Sequence, residues 1–183
     1  MSELKTHTEA EMRAIRADHE RWIDSSEKEG GRADLSLTDL RPHAALLRTS
    51  CLSRANLTDA DLSRANLSRA KGLLDPSEYL AEKFEATDEG ILCYKSFGSN
   101  YAPPPDWDIE PHAVITEICN PCRTTACASG VNVATLEWAQ RNNRCREIWK
   151  CLIRWIDLAG VVVPYNTDGK IRASRVELIE VVR

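Results

Sequence analysis

The sequence predicts two architectures in series: a short four-faced solenoid capped by an N-terminal helix, then a mainly β domain of the α+β class. Three observations predict it. Leucines recur every five residues at positions 47, 52, 57, 62 and 67, each with a small residue two places earlier. Residues 8–24 before them carry apolar side chains at spacings of three and four, the mark of an amphipathic helix. After Gly72 the period of five stops, and short β-branched and aromatic runs alternate with turn residues.

The helix comes first. Met12, Ile15, His19, Trp22 and Ile23 form its seam. Thr8 is placed to cap it, with Glu11 three residues on to complete a capping box. Glu27-Lys28-Glu29-Gly30-Gly31 ends it. The repeat follows. A helix has a period of 3.6 and a strand a period of 2, so neither builds a segment of period five. A solenoid with one pentad per face does. Its leucines point inward and stack on the next coil. Ala45, Ser50, Ala55, Ala60, Ala65 and Ala70 point in beside them because only small side chains fit there. Arg54, Asn56, Asp61, Arg64, Asn66 and Arg69 point out. Leu35 and Leu40, preceded by Ala33 and Thr38, keep the spacing in another phase, so a break is expected at Arg41-Pro42-His43. Such repeats bury a core only by stacking.

The pentads ADLSL, SRANL, TDADL, SRANL and SRAKG resemble those of pentapeptide-repeat proteins, whose motif is A-[D/N]-L-x-x. The resemblance covers residues 33–72 and implies a right-handed quadrilateral β-helix. The stretch HERWIDSSEKEGGRADL is similar to a leader found in phage and prophage members of that family. The organisation expected is a capping helix over 1–30, a β-helix over 31–72, a linker helix over 73–87 and an α+β domain over 88–183.

In the linker, Asp75 or Ser77 can cap a helix over PSEYLAEKFE. Strands are expected at 91–97 and 113–118, and a helix over Val131 to Arg141. From 148 to 156, Trp149, Cys151, Ile153 and Trp155 alternate onto one strand face. Asn166-Thr167-Asp168-Gly169 between two β-rich runs is a hairpin signal, and a last strand spans 176–182. The runs Tyr-Lys-x-Phe, Gly-Val-Asn-Val-Ala-Thr and Val-Val-Val-Pro-Tyr-Asn-Thr-Asp-Gly resemble a domain that follows the repeats in phage-type proteins, and that resemblance imports no activity.

Charge narrows the partners. The net charge of −4 divides into −3 over residues 1–30, +3 over 31–72 and −4 over 73–183. Fewer than two coils of positive sign cannot imitate the phosphate spacing of a duplex, which speaks against DNA mimicry by the repeat. The acidic run Glu78, Glu82, Glu85, Asp88 and Glu89 is the better mimic, and its plainer reading is a solvated helix face. Direct nucleic-acid binding is not expected of this charge balance. No apolar run reaches the ~18 residues of a membrane span. The polar N-terminus has no signal-like core, so the expected location is the cytoplasm, with the seven cysteines reduced.

Cys119-x-x-Cys122-x4-Cys127 sets three thiols in one loop, but no second pair completes a zinc site. Free thiols without a cofactor are the reading, with zinc at Cys119, Cys122 and Cys127 as the alternative. A thiol enzyme would need Cys127 to meet His43 or His112, oriented by Asp108 or Glu117. An ADP-ribosyltransferase-like enzyme would draw on Lys95 and Glu177. No motif marks either. The preferred reading is a non-enzymatic interaction module, a phage-type inhibitor that occludes a host protein, with a defence-system protein as one target. Its partner-binding residues are expected at Tyr101, Asp106 and Trp107 of the proline loop and at the basic cluster Arg141, Arg144 and Arg146. An end-to-end homodimer through the exposed coil edge is compatible with this plan.

Overall fold

The computed structural model describes residues 3–63, 65–98, 102–142 and 147–182. Tyr101, Arg144 and Arg146, named above as partner-binding residues, lie outside them, as do Arg64 and Cys145. The chain divides into two compact units, Met1–Leu74 with Thr124–Ala126, and Asp75–Arg123 with Cys127–Arg183.

The first unit opens with α1 (Glu9–Asp24). Its capping box is as expected: the Glu11 N–H donates to Thr8 Oγ1 at 3.2 Å, and the Thr8 N–H to Glu11 Oε2 at 2.7 Å. The buried face of α1 centres on Met12 and His19, which share an apolar lining with Ala33, Leu35, Leu47 and Leu52. His19 Nδ1 accepts the Ala33 N–H at 3.1 Å, tying the helix to the start of the repeat. Gly30 turns the chain between them. Its φ is +76°, and a Cβ there would stand 2.3 Å from the Asp18 carbonyl.

In the repeat, one pass of chain lies parallel on the next. Asp34 bridges to Asn56, Asp39 to Asp61 and Cys51 to Lys71. The N–H groups of Ala55, Ala60, Ala65 and Ala70 each bond the leucine carbonyl three residues back, so the chain turns once per pentad. Asn56, Asp61 and Asn66 brace these turns by accepting the N–H two residues on. Leu35, Leu40, Leu47, Leu52 and Leu57 are buried, as are the small residues Ala33, Thr38, Ser50, Ala55 and Ala60. Leu62 and Leu67 are half-exposed because they belong to the last pass of the repeat. The expected break is present as a 3-10 turn (Arg41–His43) running into the one-turn α2 (Ala44–Leu47), which takes Ala45 and Leu47 out of the pentad conformation while leaving Leu47 inside.

The second unit begins with α3 (Pro76–Lys83), capped by Asp75, whose carboxylate accepts the Ser77 and Glu78 N–H groups. Among the described residues its sheet has seven strands: β1 (Gly90–Lys95), β2 (Val114–Thr116), β3 (Val131–Ala134), β4 (Trp149–Arg154), β5 (Val161–Val162), β6 (Lys170–Ala173) and β7 (Arg175–Val181). Their order is β2-β7-β4-β1-β3-β6-β5, and every neighbouring pair is antiparallel. β1 sits at the centre and pairs with β4 in register from Gly90 opposite Arg154 to Lys95 opposite Trp149. A Cβ at Gly90 would lie 2.0 Å from the Ile153 carbonyl, so only glycine starts this strand.

Two expectations need correction. The helix expected over Val131 to Arg141 is a strand, β3, followed by α4 (Leu136–Asn142). Val131 and Val133 alternate inward at period two, and Thr135 starts the helix with its hydroxyl accepting the Trp138 N–H. Trp155 is not on the core face with Trp149, Cys151 and Ile153. The strand stops at Arg154, and Trp155 enters a 3-10 turn (Trp155–Gly160) with 44% of its surface exposed.

Burial holds the His19 pKa below the ordinary histidine value, with Arg32 adding to the effect and Glu20 opposing it. A lowered folded pKa means that the unfolded chain takes up the proton first. Stability from His19 is therefore complete above about pH 6.5 and is lost as pH falls toward the folded value. We expect the urea midpoint of the first unit to fall between pH 7 and pH 5 in the wild type and to fall less in His19→Gln. At pH 7, His19→Ala leaves the Ala33 N–H unpaired and costs about 1–3 kcal/mol.

Candidate functional site

The end of β1 carries Lys95 toward β3, where its Nζ donates to the Asn132 carbonyl at 3.0 Å. Two aromatic rings enclose the same ammonium, with Nζ 5.1 Å from the Phe97 centroid and 5.5 Å from that of Trp107. Phe97 meets both Trp107 and Trp149 edge to face at 6.4 Å. Trp107 is held in turn by its indole N–H, which donates to the Thr116 carbonyl at the end of β2 at 2.9 Å. This burial lowers the Lys95 pKa, because the charged form loses water. Cys93 and Cys151 face each other across β1 and β4, both fully buried, and burial pushes the Cys93 thiol well up.

Lys95 stands in an open cleft of about 360 Å³. Its walls are the proline loop with Trp107, the turn Cys127–Gly130, Asn132 of β3, Trp138 of α4 and Lys170 of β6. Asn132 braces that turn, its Nδ2 donating to the carbonyls of Ala128 and Gly130 at 3.0 Å each, while its Oδ1 is buried without a partner. Glu117 also lines the cleft, with Oε1 accepting the Ile118 N–H at 2.9 Å. On the far wall, Lys170 Nζ lies 5.9 Å from the Trp138 ring. A second, wider cleft of about 560 Å³ lies by Tyr79 and Tyr94 and carries Glu82, Glu85, Glu137 and Asp168.

Trp107, read from sequence as an exposed anchor, is thus a half-buried wall of the first cleft, and Asp106 beside it is exposed. Of the basic cluster, Arg141 lies within the described residues. It pairs with Asp168 at 3.3 Å, and Asp168 also accepts the Trp138 indole N–H at 2.8 Å. The acidic residues Glu78, Glu82, Glu85, Asp88 and Glu89 are all exposed. Glu82 pairs with Lys83 and Glu89 with Arg154, while Tyr79 and Phe84 of the same segment are buried.

The three thiols do not converge. Cys122 and Cys127 are exposed, whereas Cys119 is half-buried beside Arg172, burial raising its pKa and the guanidinium opposing the rise. Among the described residues no three His, Cys, Asp or Glu side chains are grouped to hold a metal ion. No histidine lines the cleft with Cys127, since His43 is buried in the first unit and His112 lies beside Glu177. Lys95 and Glu177 are not brought together either, because the Glu177 carboxylate is taken by Arg154 at 2.6 Å. Sequence reasoning missed Asn132 and Lys170 as cleft residues. The only signal was the Gly-Val-Asn-Val run itself.

A further surface lies at the sheet margin. β2 is an edge strand, hydrogen-bonded to β7 on one side. Val114 and Thr116 face outward from it, and Ile118 follows two places on with 84% of its surface exposed.

The family model for pentapeptide repeats (8 copies) matches residues 45–72. The chain carries these repeats there, and they are generally protein-interaction modules. No curated protein and no solved structure gives a significant match. No helix among the described residues is long and apolar enough to cross a membrane.

Replacing Trp107 by alanine opens one side of the Lys95 ammonium to water. Its pKa should rise toward the ordinary lysine value. The check is the pH dependence of Lys95 acylation by a small amine-reactive reagent, read by peptide mass, with the midpoint moving upward in Trp107→Ala.

Proposed function

We propose that this protein is a non-enzymatic interaction protein of phage type, which docks on a host protein and blocks it sterically, a defence-system protein being one target of that kind. In this reading the repeat is a right-handed quadrilateral β-helix of about two coils. Its parallel bridges and its turn at each pentad support that geometry.

The observation that carries the docking role is the margin of the second unit. An edge strand offers unpaired backbone donors and acceptors to another chain, and proteins normally blunt such edges with lysine, proline or a covering element. β2 gives its Thr116 carbonyl to the Trp107 indole, and along the rest of this margin it presents Val114 with 42% and Ile118 with 84% of their surfaces exposed, and Ile109 before it with 37%. A strand edge with apolar side chains alternating outward suits a partner that adds a strand, the backbone supplying affinity and the side chains register. The exposed turn residue Ile156, with 86% of its surface open, extends the apolar character of this unit.

The test is capture from host lysate with the wild-type chain and with Val114→Lys/Ile118→Lys, read by mass spectrometry. The wild type should retain a stoichiometric partner. The variant should lose at least about tenfold in affinity, the effect of ~1.4 kcal/mol, with its melting temperature unchanged. A partner held equally by both proteins would place the docking surface elsewhere. Host proteins changed in mass with none retained would favour the enzyme alternative.

A further inference from the structure

The Lys95 cleft adjoins the end of β2 and has the character of a small-ligand site. Its volume of about 360 Å³ falls in the range of pockets that enclose a small molecule. Four aromatic residues, Tyr94, Phe97, Trp107 and Trp138, line it. Two cations, Lys95 and Lys170, line it as well, and among the described residues neither forms an ion pair with a carboxylate. The one acid on the wall, Glu117, is turned to the Ile118 N–H.

Lys95 spends one of its three N–H donors on the Asn132 carbonyl and rests against π faces. An ammonium in such surroundings is costly, and its lowered pKa expresses that cost. The fold nevertheless keeps it on the lining of an open cleft, where a bound anion would supply the missing counter-charge. Two lysines on the lining give the cleft a positive field, which favours a phosphate dianion over a single carboxylate. Aromatic walls favour a ligand whose other end is a flat ring.

We propose that the cleft binds a nucleoside monophosphate, with the base against the Trp107 and Phe97 side and the phosphate on Lys95, Lys170 adding to the positive field from the far wall. The cleft shares Trp107 and Glu117 with the end of β2, while both lysines come from β1 and β6.

The experiment is titration of the full chain with adenosine monophosphate, adenosine and inorganic phosphate, followed by tryptophan fluorescence and calorimetry. Adenosine monophosphate should saturate, and adenosine and phosphate should each bind at least about tenfold more weakly. Lys95→Met, close in length and suited to apolar surroundings, should weaken adenosine monophosphate about tenfold or more. Lys170→Met, a milder change on the far wall, should weaken it about threefold. Ile156→Lys, on an exposed turn outside the cleft lining, should bind it as the wild type does. No saturation at millimolar nucleotide would overturn the proposal. So would equal binding of phosphate alone, which marks a plain anion site, or unchanged affinity in both lysine variants with their melting temperatures preserved.

Discussion

The second unit depends on a guanidinium with no exposed surface. Arg172 sits within β6, and its Nε and Nη2 donate to the Asn120 carbonyl at 3.2 and 3.1 Å while Nη2 also reaches the Cys122 carbonyl. A buried charge is tolerable only when its donors are paired. The loop after β2 is therefore obliged to fold back onto the sheet and bring its carbonyls in. Arg123 adds a second staple. Its Nε donates to the Val163 carbonyl at 2.7 Å, and its guanidinium lies 4.1 Å from the Tyr165 ring centroid. Opposite Arg172, Gly130 leaves room that a Cβ would close, standing 3.0 Å from Cys119 Sγ and 3.3 Å from Arg172 Cβ. The turn that walls the cleft is thus set by a charge on its far side.

The first unit is built on the opposite principle, local satisfaction repeated. Each pentad closes its own turn through a backbone bond, and an Asn or Asp side chain occupies the next free N–H. Little long-range information is needed beyond the parallel bridges between passes. Arg41 is an addition to that scheme. It pairs with both Asp39 and Asp61 across neighbouring passes, and holds the Asp39 pKa down to about 2, so this carboxylate stays ionised well into acid.

This contrast explains what the sequence made legible. Leu52, Leu57, Ala55 and Ala60 declared their inward positions because the pattern is periodic and each position is decided nearby. The break at Arg41-Pro42-His43 was visible for the same reason. In the second unit, the strand around Trp149 could be read from alternation and the one after Gly90 from its β-branched and aromatic content, but the boundary inside Val131 to Arg141 could not. Val131, Ala134 and Trp138 satisfy a helical spacing as well as Val131 and Val133 satisfy a strand, and only Thr135 marks the change. The cleft was less legible still. Lys95 and Asn132 are 37 residues apart, and Lys170 arrives from a hairpin further on. What joins them is strand order, with β1 beside β3 and β3 beside β6, and no local pattern encodes that adjacency.

The pentad has an evolutionary corollary. Within each five-residue unit the leucine and the small residue are fixed by the interior, and the Asn or Asp is fixed by the turn it braces. The remaining outward positions, such as the one held here by Arg69, answer to neither demand. Substitutions there can accumulate at little cost to folding, so the charge and shape of this face can drift or be selected at a pace the rest of the protein cannot match.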